Sequence, residues 1–194
     1  MKIIALEQNG TPAEKSFACY PDTTLIRDNE DFYVPNFSKN IVAYCGIYLL
    51  FNKIGKCIEP QFVSRYYSEI GVAIKFIASD VYQNAVERGC STDMAKCFDL
   101  SLAVSNEKIS CDKLQNINLA VSMNGTPLDV QVASYQKIAE AVAEATKYYT
   151  AKVGDLFFLP CVEVPTAVSI GDVFDVSLQN QQLLTLKKSQ VKKL

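Results

Sequence analysis

The most apolar run of the chain is Ile41 to Phe51, IVAYCGIYLLF, closed by the polar stretch Asn52-Lys53-Ile54-Gly55-Lys56. Its length and its β-branched and aromatic content predict a strand, although a continuous apolar run has no period of its own. Residues 2–6 predict a first strand, followed by a polar loop from Glu7 through Lys15 with an Asn9-Gly10 turn signal. Tyr20-Pro21-Asp22-Thr23-Thr24 is turn chemistry, and Phe32-Tyr33-Val34-Pro35 is a short extended piece that its proline ends. From Pro60, the positions Phe62, Val63, Tyr66, Tyr67 and Ile70 recur at helical spacing and predict a helix closing at Gly71. Val72 to Ile77 predicts a second extended stretch. Ser79-Asp80 are N-cap residue types for a helix closing at Gly89, and Ser91-Thr92-Asp93 cap a short turn through Lys96.

In the second half, Ile117 to Met123 alternates over most of its length before Asn124-Gly125, a strong hairpin signal. A long helix is predicted from Ser134 to about Tyr149, with Ile138, Val142 and Ala145 on one face. Two turn-then-strand units follow, at 153–158 and 170–176. Strands and helices mix without regular alternation, which predicts an α+β fold rather than a doubly wound α/β one.

A chain of 194 residues suffices for one sizeable domain, and no long linker divides it. Hydrophobic residues make up 49% and charged residues 21%, values that point to a folded globular protein. The formal charge of -2 supplies no field to draw nucleic acid or an anionic membrane. The run at 41–51 is too short for a membrane-spanning helix, and Ile3 to Leu6 too short for the core of a secretory signal. A soluble cytoplasmic protein is expected, with a frayed basic tail over 187–194.

The seven cysteines are scattered without a Cys-x-x-Cys pair, as expected of free thiols in a reducing compartment. The chain contains no histidine, which excludes Ser-His-Asp and Cys-His mechanisms and removes the commonest zinc ligand.

Several segments, taken in chain order, resemble the fumarylacetoacetate hydrolase (FAH) family. Tyr20-Pro-Asp-Thr-Thr-Leu is similar to its "KPDSALL" piece and Tyr33-Val-Pro-Asn-Phe-Ser to "YIPDFS". Gly71 to Asp80 resembles "GIDFTARD", Ala95-Lys-Cys-Phe-Asp99 resembles "AKGFDGS", and Gly154-Asp-Leu-Phe-Phe158 resembles the start of "GDLIFTGTP". The resemblance covers Tyr20 to Leu186 and implies a mixed β-roll with a few flanking helices, a single FAH-like domain over 1–194 with a shortened segment at 1–19, and a homodimer. It also implies a Mg²⁺ or Mn²⁺ ion held by Glu-x-Glu and an aspartate, polarising a dicarbonyl or 2-oxo acid substrate.

Aligned on Gly55-Lys56, the two glutamate positions fall at Tyr44 and Gly46, and the aspartate falls at Lys75. A shift of register does not restore them, because neither 41–58 nor 71–79 contains an acidic residue. Lys75 would repel a divalent ion. The family's glycine-rich loop is replaced by Leu159-Pro160-Cys161-Val162-Glu163-Val164-Pro165, and the arginine of "ARD" by Ser79. Lys96, Phe98 and Asp99 survive; the resemblance places this lysine near the substrate carboxylate. Glu163 beside Lys75 would form an ion pair in the space left by the metal.

The expectation is therefore a divergent FAH-family pseudoenzyme without a metal cofactor. Such a protein would bind a small keto or dicarboxylic acid or serve as a partner subunit. The alternative is a weak acylpyruvate hydrolase, decarboxylase or isomerase rebuilt around a lysine, with Schiff-base chemistry at Lys75 or Lys96.

Overall fold

The computed structural model describes residues 1–7, 16–27, 30–111, 116–164 and 168–189, apart from the side chains at 132 and 133. In chain order the elements are β1 (Lys2–Glu7), β2 (Ser16–Pro21), β3 (Leu25–Ile26), β4 (Phe32–Tyr33), β5 (Ile41–Phe51), β6 (Tyr67–Ala78), α1 (Ser79–Glu87), α2 (Asp93–Lys96), β7 (Leu102–Val104) and β8 (Ile109–Ser110). They continue with β9 (Asn116–Met123), β10 (Thr126–Ser134), α3 (Tyr135–Tyr148), β11 (Leu156–Glu163), β12 (Val173–Leu178) and β13 (Gln181–Ser189).

Strands dominate and form two mixed sheets. The larger runs β2-β1-β11-β5-β6-β7-β3, with β8 also paired to β6. The smaller runs β10-β9-β12-β13-β4. The α+β expectation is met. Strand β5 occupies Ile41–Phe51, the bounds predicted. The odd-numbered residues from Ile41 to Phe51 join the main core, shared with Val72, Ile74 and Phe76 of β6 and with Val121, Phe174 and Leu184 of the smaller sheet. The other face of the large sheet buries a second cluster that includes Ile3, Tyr20, Tyr48, Ala73, Leu156 and Phe158. A strand buried on both faces has no reason to alternate, which is why 41–51 reads as one continuous apolar run.

The predicted helix at 60–71 is absent. A 3₁₀ turn spans Pro60–Arg65, and β6 then runs without a break through Gly71. The spacing of Val63, Tyr67 and Ile70 arises because buried positions of a turn and a strand follow one another, with β5 supplying the hydrogen bonds that decide for strand. Gly71 is a packing residue, not a helix stop. It stands opposite Tyr48, whose ring fills the space that any Cβ would need.

Helix α1 begins at Ser79 itself, so Ser79 and Asp80 lie inside it and not at its cap; Asp80 instead accepts from Ser38 Oγ and the Lys39 amide. The Gly89 stop holds, with Gly89 at φ +62°. Helix α3 falls where predicted, and Ser134 caps it, its hydroxyl accepting from the Lys137 amide. The Asn124-Gly125 turn joins β9 to β10 with both residues at positive φ.

The tail expectation needs correction. Lys187 and Lys188 belong to β13, and Lys188 is 4% exposed and donates to the Val168 carbonyl. Residues 190–194 and the Asn9-Gly10 turn lie outside the described residues. No helix among the described residues is long and apolar enough to cross a membrane.

Candidate functional site

The face of the large sheet that carries the second core cluster changes character along its strands. At one end it is apolar. At the other, Glu7 ends β1, Glu163 ends β11, and Tyr44 and Lys75 stand directly opposite each other on β5 and β6. These residues line a cavity of about 280 Å³, together with Tyr20 from β2, Tyr82 from α1 and Lys96 from α2.

Glu163 reaches this face through a β-bulge. The register of β11 on β5 slips between Pro160, paired with Gly46, and Val162, paired with Cys45. The extra residue returns Val162 to the main core and turns Glu163 to the cavity, opposite Tyr44. Pro160 lies in a strand with neighbours on both sides, where the irregular ladder at the bulge tolerates a residue with no N–H. Because β11 lies so close over Gly46, a Cβ there would collide with the Leu159 carbonyl and Pro160.

Lys75 is 2% exposed. Its Nζ donates to the main-chain carbonyl of Lys96, at the last turn of α2, and to Ser101 Oγ at 2.9 Å. It lies 4.3 Å from the centre of the Tyr20 ring and 6.0 Å from that of Phe98. No carboxylate among the described residues pairs with it. Burial therefore pushes its pKa down to about 7, partly opposed by the nearby Cys97 and Glu7. The predicted ion pair of Lys75 with Glu163 is not formed. The side chain of Lys75 turns instead to the α2 carbonyl, which needs a donor, while Glu163 lies against Tyr44. Burial, then Glu163, push the Tyr44 phenol up to about 12.

Lys96 forms the second node. Its ammonium pairs with Glu7 at 2.5 Å and lies 5.0 Å from the Tyr82 ring centre. Tyr20 donates its hydroxyl to Glu7 and is raised in pKa by burial and by that carboxylate. Phe98 is half-buried, packed edge-on to Phe37 at 5.4 Å, behind the cavity rather than on its wall. Asp99 is exposed and does not line the cavity. Of the residues singled out in the sequence, Tyr44, Lys75, Lys96 and Glu163 converge there. Glu7, Tyr20, Tyr82 and Ser101 escaped notice as site residues. Ile3, Ala5 and Glu7 do share one face of β1 by simple alternation, but which strand they face is not written locally.

No protein-family model matches the chain, and no curated protein does. Solved structures do. The fumarylpyruvate hydrolase of Pseudomonas aeruginosa, solved with Mn²⁺ and pyruvate, superposes with a TM-score of 0.85 at 14% identity, over 98% of this chain and 90% of that one. A Yersinia pestis protein described as a candidate fumarylacetoacetate hydrolase family member gives 0.82 at 18%, over 96% and 92%. The 5-carboxymethyl-2-hydroxymuconate delta-isomerase of Mycobacterium smegmatis gives 0.85 at 15%, over 98% and 77%. The protein is thus an α+β protein of two mixed sheets with a cavity at the polar end of the larger one. More narrowly, its fold is that of the fumarylacetoacetate hydrolase family.

A divalent ion of the kind present in the P. aeruginosa enzyme requires several oxygen ligands, preferably carboxylates. The residues here do not fit one. Gly46 offers no donor and Lys75 brings an amine, while Glu7 is engaged by Tyr20 and Lys96. Among the described residues no group of three or more His, Cys, Asp or Glu is placed to hold a metal.

Proposed function

We propose that this chain is a divergent member of the fumarylacetoacetate hydrolase family that works without a divalent metal, as a homodimer in the cytoplasm. Its cavity takes a small keto or dicarboxylic acid and performs no metal-dependent turnover. The observation that carries this reading is Lys75, opposite Tyr44 and tied to the Lys96 carbonyl, at the position where the resemblance puts a metal-binding aspartate. The cavity volume of about 280 Å³ suits a compact acid rather than a nucleotide-sized cofactor. Lys96 spends one ammonium hydrogen on Glu7 and keeps two for a ligand carboxylate.

The test is metal analysis of the purified protein joined to thermal unfolding with oxalate or oxaloacetate, each with and without Mg²⁺ or Mn²⁺. The expected result is no bound metal and a rise in Tm with the acid alone. Stoichiometric metal, or a rise that requires the ion, would overturn the reading. Light scattering of the same sample checks the dimer.

A further inference from the structure

Among the described residues, Lys75 Nζ has two hydrogen-bond partners, both acceptors and neither an anion. Ser101 Oγ donates its own hydrogen to the Lys96 carbonyl at 3.3 Å, so toward Lys75 it can only accept. The Lys96 carbonyl, the other partner, has no hydrogen to give. An uncharged amine has two N–H bonds, and these two acceptors use both. Its lone pair is left over and is directed away from them. The side chain lines the cavity, and the Tyr20 ring covers the amine from a third side at 4.3 Å. The surroundings also favour the uncharged form, since among the described residues no carboxylate pairs with this nitrogen.

Beside this amine stands an ammonium that keeps its partner, Lys96 on Glu7. The cavity thus contains two lysines in different settings, one paired with a carboxylate and one held by uncharged acceptors. We propose that Lys75 is a nucleophile that captures the carbonyl carbon of a small 2-oxo acid as an imine. This assignment rests on the reading of the cavity as a keto-acid site.

In the first step Nζ adds its lone pair to the carbonyl carbon, and the carbonyl π pair moves to oxygen, which takes a proton from Lys96. Transfer of one N–H proton back to Lys96 leaves a neutral carbinolamine. In the second step the nitrogen lone pair forms C=N as the C–O bond breaks, and the hydroxyl leaves with a proton from Lys96 as water. The remaining N–H proton returns to Lys96. One water is released, nothing is oxidised or reduced, and Lys96 ends as it began. The imine nitrogen, when protonated, withdraws electrons from the former carbonyl carbon, so the polarisation needed by 2-oxo acid chemistry comes from the chain itself.

The experiment treats the full-length protein with pyruvate and borohydride, followed by intact mass and peptide mapping. Thermal unfolding with pyruvate, and with lactate as a carbonyl-free analogue, is measured in parallel. The expected result is one reduced adduct per chain at Lys75, its loss in Lys75→Met, and a Tm rise with both acids. Mapping on the native sequence decides the assignment even where Lys75→Met does not fold. Adducts absent, or spread over surface lysines, together with a Tm rise would overturn the imine and leave the binding site standing. Absence of both adduct and Tm rise would overturn the imine and the keto-acid site together.

Discussion

Two tyrosines four residues apart on one face of β5 meet opposite solutions on β6. Tyr48 faces Gly71, and the missing side chain makes room for its ring, whose hydroxyl donates to the Ser105 carbonyl at 2.7 Å. Tyr44 faces Lys75, whose Nζ donates to the Lys96 carbonyl and to Ser101 Oγ at the edge of a cavity. The first pairing is settled by shape and has one arrangement. The second is settled by hydrogen bonds and borders open space. A single strand pair thus carries a structural end and a chemical end.

The largest effect in breaking this contrast is expected at the structural end. Gly71→Val forces the Tyr48 ring out of its place and should cost about 3 kcal/mol in chemical denaturation, an overpacking loss. A double-mutant cycle with Tyr48→Ala should recover part of it, because the two sites share one space. Next, Tyr48→Phe leaves the Ser105 carbonyl without its donor and should cost about 1–2 kcal/mol, with acid binding unchanged. At the chemical end, Lys75→Met should shift stability at neutral pH by less than about 1 kcal/mol, since an apolar side chain replaces a desolvated one.

The pH profile of Lys75→Met should change more. Burial lowers the Lys75 pKa from 10.5 to about 7, so between those values the unfolded chain holds a proton that the folded chain lacks. Native stability therefore rises with pH across that window, at no more than about 1.4 kcal/mol per pH unit from this group. Lys75→Met should flatten that rise in unfolding measured from pH 7 upward. Smallest is Tyr44→Phe, within about 0.5 kcal/mol. It should remove one late-titrating phenol from an absorbance titration, because Tyr44 is pushed up to about 12.

The structural end was legible in part. The eleven residues of β5 are confined by composition alone, and the Asn124-Gly125 hairpin is local chemistry that any context would read in the same way. The segment from Tyr67 to Gly71 was misread because alternating strand burial after a 3₁₀ turn imitates a helical stripe over a few residues. At the chemical end, the sequence singled out Tyr44 and Lys75, which the strand register sets opposite each other. What they do there depended on partners distant in sequence. The carbonyl that holds Lys75 belongs to residue 96, and the bulge that turns Glu163 inward is a register slip with no residue signature beyond Pro160. Glu7 met Lys96 across 89 positions, a distance over which no local pattern carries information.

The close approach of β11 to Gly46 bears on which substitutions the site admits as well as on its packing. A glutamate introduced at that position would meet the Leu159 carbonyl at its Cβ. Every larger residue meets the same obstruction at its first carbon. A carboxylate at this position would require β11 to change its path first. The seam between β5 and β11 therefore acts as a gate on substitution at Gly46, and single changes at the cavity are left to its lysines, tyrosines and two glutamates.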